Sequence, residues 1–285
     1  MIKSMTGFGK SVLQLPTKKI TVEVKSLNSK NLDINARIPS QYREKEIAMR
    51  NEIANVLERG KVDFGLYVEI TGEENSTQIN QAIVKDYIKQ LEAIEQTETV
   101  ELLKMAVRMP DALKTVRAEI DEEEFKAVAN TLATALTEID NYRLDEGKVL
   151  ENDFTLRVNN IENLLDQVIE MDPDRIAGVR ERLEKAVSDL KESVDQNRFE
   201  QELIYYLEKF DITEEKVRLS NHLNYFKETL SSSDSNGKKL GFISQEMGRE
   251  INTIGSKANY APMQQLVVQM KDELEKIKEQ LLNVL

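Results

Sequence analysis

Carboxylates, amides, hydroxyls and cations are concentrated in residues 237–259. Within this segment Glu246 and Glu250 are four residues apart, so that on a helix both carboxylates project from one face. Carboxylate oxygens suit Mg²⁺ or Mn²⁺, and Arg249 and Lys257 are cations that can stabilise charge in a transition state. The segment predicts metal-assisted chemistry at an anionic group, with a plain capped helix end as the alternative.

The only histidine, His222, lies in a second polar pattern about twenty residues earlier. At about 100° per residue, Asp211, Glu215, Arg218 and His222 fall within a ~60° sector beside an apolar stripe. Partial desolvation there would tune a pKa, so we expect His222 to act as a general acid or base. Asp211 and Glu215 would join Glu246 and Glu250 as metal ligands. The alternative is a ladder of ion pairs along one helix.

These two segments, the opening nonapeptide and the stretch Arg143-Leu144-Asp145-Glu146-Gly147 together resemble the YicC/YloC family of bacterial proteins, and the resemblance extends over the whole chain. It implies an endoribonuclease that depends on a divalent cation and assembles as a ring-like homo-oligomer, a hexamer. Gly241 and Gly248 depart from the family pattern, which carries Asp and Asn at these places. We therefore give Gly241 no role.

Composition restricts the alternatives. The 285 residues include no cysteine, which excludes disulfides and thiolate chemistry, and one histidine excludes a two-histidine ribonuclease within one subunit. No apolar run is long enough for a membrane helix, so we expect a cytoplasmic protein without a membrane partner. The net charge of −12 argues against a generic nucleic-acid binder.

The charge is unevenly distributed, however, because residues 1–75 carry a formal net charge of +2 and the remainder carries −14. Local potential matters more than total charge for phosphate binding. We therefore expect RNA contacts from the following cations: Lys3, Lys10, Lys25, Arg59, Lys61, Arg143 and Arg218. Phe8 could stack on a base, or it could belong to the core.

The pattern of apolar residues predicts an α+β fold, with a mixed strand and helix domain at residues 1–150 and a long-helix domain at residues 151–285. Alternation predicts strands at residues 19–25, 32–38 and 62–70. Residues 41–58 read as a helix with Ile47, Ile53 and Leu57 on an apolar stripe. Beyond residue 80 the pattern is almost all helical, with breaks at Pro110 and at residues 171–174.

Two heptad-like seams stand out in the second half, at residues 154–168 and 267–284. The second seam predicts packing within the chain or a contact between subunits. Residues 231–237 read as a flexible loop between the two polar segments. Two functions of other classes stay open: an RNA-binding adaptor that delivers small RNAs to another nuclease, and a purely structural assembly protein.

Overall fold

The computed structural model describes residues 2–71, 77–95, 98–115, 121–189, 195–232 and 236–285. The chain divides into two compact units. The mixed unit comprises Phe8–Lys25 and Leu32–Ile139, and the helical unit comprises Met1–Gly7, Ser26–Asn31 and Asp140–Leu285. The α+β class is therefore confirmed, whereas the domain boundary at residue 150 stays a prediction.

A four-stranded sheet organises the mixed unit. Its strands in chain order are β1 (Gly7–Gln14), β2 (Lys18–Leu27), β3 (Leu32–Arg37) and β4 (Gly60–Ile70), and their spatial order is β1-β2-β4-β3. β3 and β4 run parallel, with Arg37 opposite Gly65. The three strands predicted from alternation are therefore confirmed.

One face of the sheet forms the core of the mixed unit. Ile20, Val22 and Val24 of β2 pack with apolar residues of helices α1 (Glu46–Leu57) and α4 (Glu122–Asp189). A 3₁₀ segment, Ser40–Lys45, precedes α1. Alternating burial along β2 and β4 leaves the opposite face exposed to solvent, as expected for a sheet with one solvated side.

One expectation for this unit was wrong. Ile47 is 73% exposed, because Met49, Ile53 and Leu57 form the buried stripe of α1. Gly7 and Gly9 belong to β1, and a Cβ on Gly9 would lie 2.1 Å from the carbonyl oxygen of Ala135 in α4. Gly9 therefore permits β1 to pack closely against that helix.

The rest of the mixed unit is a small subdomain. It contains strands β5 (Thr77–Ile79) and β6 (Leu113–Thr115), which pair antiparallel, and helices α2 (Gln81–Ile94) and α3 (Thr99–Ala106).

Helix α4 continues through Pro173, so the break predicted at residues 171–174 was wrong. Proline removes one backbone hydrogen bond from a helix, but tertiary contacts hold this turn. The buried Asp172 carboxylate lies 2.6 Å from the Arg175 guanidinium and 2.6 Å from the Lys216 ammonium.

The described residues of the helical unit also form α5 (Gln196–Phe210), α6 (Thr213–Leu230), α7 (Gly237–Lys257) and α8 (Ala261–Leu281). Both predicted seams are buried in its core, so the second seam packs within the chain. The loop predicted at residues 231–237 lies partly outside the described residues, which omit 233–235.

The N-terminal segment is part of the helical unit. Ser4 bridges to Val284, and a Cβ on Gly147 would lie 1.9 Å from the Ile2 carbonyl oxygen. The chain's own N-terminal segment therefore approaches the backbone of α4 closely at Gly147.

Candidate active site

The two polar segments predicted to carry chemistry form neighbouring helices. The Nζ atom of Lys257, at the end of α7, lies 2.8 Å from Oε1 of Glu215, near the start of α6. The two helices are therefore antiparallel and packed side by side. We call the line of contact that contains Glu215, His222, Glu250 and Lys257 the α6–α7 seam.

This ion pair fixes the register of His222 and Glu250. His222 is seven residues from Glu215, and Glu250 is seven residues from Lys257. Seven residues are almost two helical turns, so each side chain lies on nearly the same side of its helix as the residue of the ion pair. His222 and Glu250 thus stand at one level, about 10 Å along the seam from the Glu215–Lys257 pair. Neither makes a hydrogen bond or ion pair with any described residue.

The two side chains differ in exposure. His222 is half-buried, whereas Glu250 is only 8% exposed although its carboxylate oxygens are not sealed from solvent. A carboxylate without a protein partner normally needs water, a cation or a ligand donor. Their position makes His222 and Glu250 the most available reactive groups of the predicted catalytic set.

The end of the seam is a cluster of paired charges. Arg175 donates to Oδ1 of Asp172 and to the Phe210 carbonyl oxygen at 2.8 Å each, and Lys216 donates to Oδ2 of Asp172 at 2.6 Å. Sequence reasoning missed Asp172, Arg175 and Lys216. The only available signal was the Asp172/Arg175 spacing of three residues, which suits an ion pair on a helix.

Asp211 lies between α5 and α6, so it does not extend the polar stripe of α6. Its carboxylate accepts hydrogen bonds from the hydroxyl and the backbone N–H of Thr213, at 2.6 and 2.9 Å. These bonds, followed by the charges of Lys216 and Lys257, lower the pKa of Asp211.

The ladder of ion pairs considered for α6 is absent. Arg218 pairs with Glu214 at 2.6 Å, and Glu215 pairs with Lys257 of α7. The second carboxylate oxygen of Glu215, Oε2, is buried and has no hydrogen-bond partner. On α7, Glu246 pairs with the exposed Arg249 at 3.1 Å.

The predicted metal ligands are consequently dispersed. Across the described residues, no group of three or more histidine or carboxylate side chains is arranged to hold a metal ion. Asp211, Glu215 and Glu246 are each occupied by a neighbouring donor, and only Glu250 has no such partner. A cage made from all four carboxylates of one chain therefore does not fit. Gly241 has open space where a side chain would project.

The cations predicted to bind RNA differ in availability. Arg143 is 1% exposed and donates to the Ser26 hydroxyl at 2.6 Å and the Met5 carbonyl at 3.2 Å. The Arg143 guanidinium thus lies in the interior of the helical unit, and the RNA contact predicted for Arg143 stays a prediction.

The remaining predicted cations stay accessible to different degrees. Lys3 pairs with Asp140 at 2.8 Å, and Lys10 pairs with Glu23 at 2.9 Å. Lys25 and Lys61 are exposed, and Arg59 is half-buried. Lys25 makes no carboxylate contact among the described residues and instead lies 5.4 Å from the centre of the Phe8 ring.

The fold and site define an α+β protein of two units, in which an antiparallel helix pair carries a histidine and a carboxylate without partners among the described residues. No helix in the described ranges combines the length and apolar character of a membrane span. Two family models match the chain: "Endoribonuclease YicC-like, N-terminal region" over residues 2–152 and "Endoribonuclease YicC-like, C-terminal" over residues 168–285.

Full-length relatives agree with these models. A protein of Clostridioides difficile named "Probable endoribonuclease YicC" is 33% identical over 293 aligned residues, and one of the same name from Haemophilus influenzae is 30% identical over 291. Each alignment covers all of both chains. The chain belongs to the YicC-like endoribonuclease family.

Proposed function

We propose that this protein is an endoribonuclease that hydrolyses phosphodiester bonds in single-stranded or hairpin regions of RNA, with its chemistry at the α6–α7 seam. Family membership supports the reaction and the substrate class. The observation that carries the location is the pairing of Glu215 with Lys257, which brings His222 and Glu250 to one level of an antiparallel helix pair.

In this proposal His222 carries one of the two proton transfers of the hydrolysis. Water oxygen bonds to phosphorus, the bond from phosphorus to the departing ribose oxygen breaks, and one proton leaves the water while another reaches the departing oxygen. An imidazole can carry out either transfer, because it can both accept and donate a proton. Lys257 is held by Glu215 and contributes a fixed positive charge at the end of the seam. Arg249, exposed and paired with Glu246, is the second candidate for stabilising negative charge.

A divalent cation, Mn²⁺ or Mg²⁺, remains part of the proposal in a restricted form. Mg²⁺ is commonly held by one or two carboxylates together with substrate phosphates, and Glu250 with Glu246 one turn away could supply such a pair. When bound, the ion would polarise the phosphate and favour deprotonation of water. In this scheme Asp211 and Glu215 are not ligands of the ion. Asp211 accepts a hydrogen bond from Thr213, and Glu215 pairs with Lys257.

The test is cleavage of an end-labelled RNA that contains both a hairpin and a single strand. We expect internal fragments with Mn²⁺ or Mg²⁺ and intact RNA with excess EDTA, with the His222→Ala variant as the control for contaminating nuclease. Cleavage that persists in EDTA would contradict the metal requirement.

The dispersed carboxylates favour one competing function, an RNA-binding adaptor without chemistry of its own. RNA that is bound yet stays intact with either metal would favour the adaptor. A protein that binds no RNA would leave the structural assembly role. A hexamer is likewise proposed by resemblance, and light scattering that gives a mass other than six chains would contradict it.

A further inference from the structure

The solvent-facing side of the four-stranded sheet carries two exposed aromatic rings and an exposed aliphatic side chain. Phe8 and Val12 on β1 are 40% and 49% exposed, and Tyr67 on β4 is 48% exposed. Along each strand these residues alternate with residues that face the core. The strands that carry Phe8 and Tyr67 are two strand spacings apart in the sheet, about 10 Å. We call this side the open sheet face.

Tyr67 is held over a glycine. A Cβ on Gly65 would lie 2.6–2.8 Å from the ring carbons and hydroxyl of Tyr67, so the phenol ring rests above Gly65 near the sheet surface. Any larger side chain at position 65 would displace it. An aromatic ring placed in this way presents a flat surface to solvent, and the absence of a side chain beneath it leaves a depression.

Two cations and two carboxylates line that depression. It has a volume of about 210 Å³ and is lined by Glu23, Lys25, Arg37, Asp63, Phe64, Gly65 and Tyr67. Arg37 sits opposite Gly65 in the register of β3 and β4. Within the described ranges, neither Arg37 nor Lys61 makes a hydrogen bond or an ion pair.

The carboxylates on this side are mostly engaged already. Glu23 pairs with Lys10 at 2.9 Å, and Asp63 accepts a hydrogen bond from the Asn35 amide at 2.9 Å. Lys25, Arg37 and Lys61 therefore remain as cations without carboxylate partners among the described residues, beside two exposed rings.

We infer that the open sheet face binds single-stranded RNA, with bases stacked on Phe8 and Tyr67 and phosphates held by Lys25 and Arg37. Open sheets that display aromatic rings and basic side chains bind single strands in this way, because every base has a π-face and phosphates complement the cations. The inference rests on the proposed function for the identity of the nucleic acid. It adds Tyr67, Arg37 and the supporting Gly65 to the RNA-contacting residues.

The chain contains no tryptophan, which provides a direct test. Phe8→Trp and Tyr67→Trp each introduce a single fluorophore on the open sheet face, and Tyr205→Trp places a control on α5 at a position that is 58% exposed. Titration with a single-stranded oligoribonucleotide in EDTA should quench the tryptophans at positions 8 and 67 by base stacking, and leave the one at 205 unchanged.

Binding measurements by fluorescence anisotropy complete the test. Tyr67→Ala should raise Kd about tenfold, on the scale of one lost base stack, while Tyr67→Phe should bind like the wild type. For an oligoribonucleotide with abasic sites, the Kd values of the wild type and Tyr67→Ala should not differ.

The inference is overturned if positions 8 and 67 show no quenching, or if Tyr67→Ala binds as the wild type does. It is also overturned if Tyr67→Ala alters the oligomeric mass and leaves RNA affinity intact, because the face would then be a subunit contact. Failure of the proposed function looks different: quenching and anisotropy changes persist, but the wild-type protein leaves RNA uncut with either metal.

Discussion

Charged side chains are treated in opposite ways in the two units. Around the α6–α7 seam, the charges beside His222 and Glu250 are paired: Glu215 with Lys257, and Asp172 of α4 with both Lys216 and Arg175. On the open sheet face Lys25 and Arg37 make no ion pair with a described residue.

The difference separates two uses of charge. Paired groups that are partly desolvated have fixed positions, and they suit a site where a histidine and a carboxylate must be held in place. Exposed cations without partners can exchange a counterion for a phosphate and gain affinity from its release. The net charge of −12 conceals this division, because the acidic surplus lies outside residues 1–75.

The largest expected effect belongs to His222. His222→Ala should slow single-turnover cleavage by roughly 10²-fold or more, because that is the usual contribution of a general acid or base. RNA affinity should change little. Asn224→Ala, at an exposed position on the same helix, is the matched control and should cut normally. Full activity of a folded His222→Ala protein would return His222 to a packing role.

Removal of one residue of the Glu215–Lys257 ion pair should destabilise the folded protein. Lys257→Met leaves the Glu215 carboxylate, whose side chain is 8% exposed, without its cation. We expect the free energy of unfolding to fall by about 2 kcal/mol, below the range for fully buried pairs because Lys257 is one-third exposed. Urea unfolding at pH 7 measures the loss.

Arg218→Met is the control for that experiment, since Arg218 and Glu214 form an exposed pair on one helix. Its loss should cost less than about 0.5 kcal/mol. Equal destabilisation by the two substitutions would mean that the seam does not depend on its ion pair.

Neutralising cations of the open sheet face should weaken the salt dependence of RNA affinity. The double variant Lys25→Gln/Arg37→Gln should reduce the slope of log K against log salt by about 1.4, which corresponds to two phosphate contacts on a single strand. The double variant Lys3→Gln/Lys10→Gln should change the slope less, because these two lysines already pair with Asp140 and Glu23. Equal slopes for both double variants would contradict the distinction between paired and unpaired cations.

The smallest expected effect is the pH dependence contributed by Asp211. Its pKa is lowered in the folded state from an ordinary value of 3.8, so the stabilisation is fully present above about pH 3.8 and is lost as the pH falls through the folded-state pKa. Asp211→Asn should therefore have a lower Tm than wild type at pH 7, by an amount that shrinks below about pH 3.8. A Tm difference that is constant down to pH 3 would contradict this assignment.

Features that depend on local periodicity were predictable from the sequence. The seams at residues 154–168 and 267–284, and the strands β2, β3 and β4, follow from apolar spacing alone. The helix through Pro173 was not predictable, because contacts of Asp172 with a residue 44 positions away hold it.

Partners distant in the sequence also limited prediction of the site. His222 and residues 237–259 were found by composition, but the Glu215–Lys257 pair joins residues 42 positions apart. The burial of Arg143 against Ser26 and Met5 follows from tertiary packing and not from its own neighbours. Tyr67 could have been found, since strand alternation places it on the same side as Lys61 and Gly65.

We assign RNA cleavage to the α6–α7 seam and RNA binding to the open sheet face. One paired measurement tests this most directly: the Kd and the single-turnover cleavage rate of Glu250→Gln and Tyr67→Ala with the same RNA. We predict that Glu250→Gln binds RNA as tightly as wild type but cuts at least about 10²-fold more slowly. Tyr67→Ala should bind about tenfold more weakly yet cut at the wild-type rate when protein is saturating. A Glu250→Gln protein that cuts normally, together with a Tyr67→Ala protein that binds normally, would contradict the account.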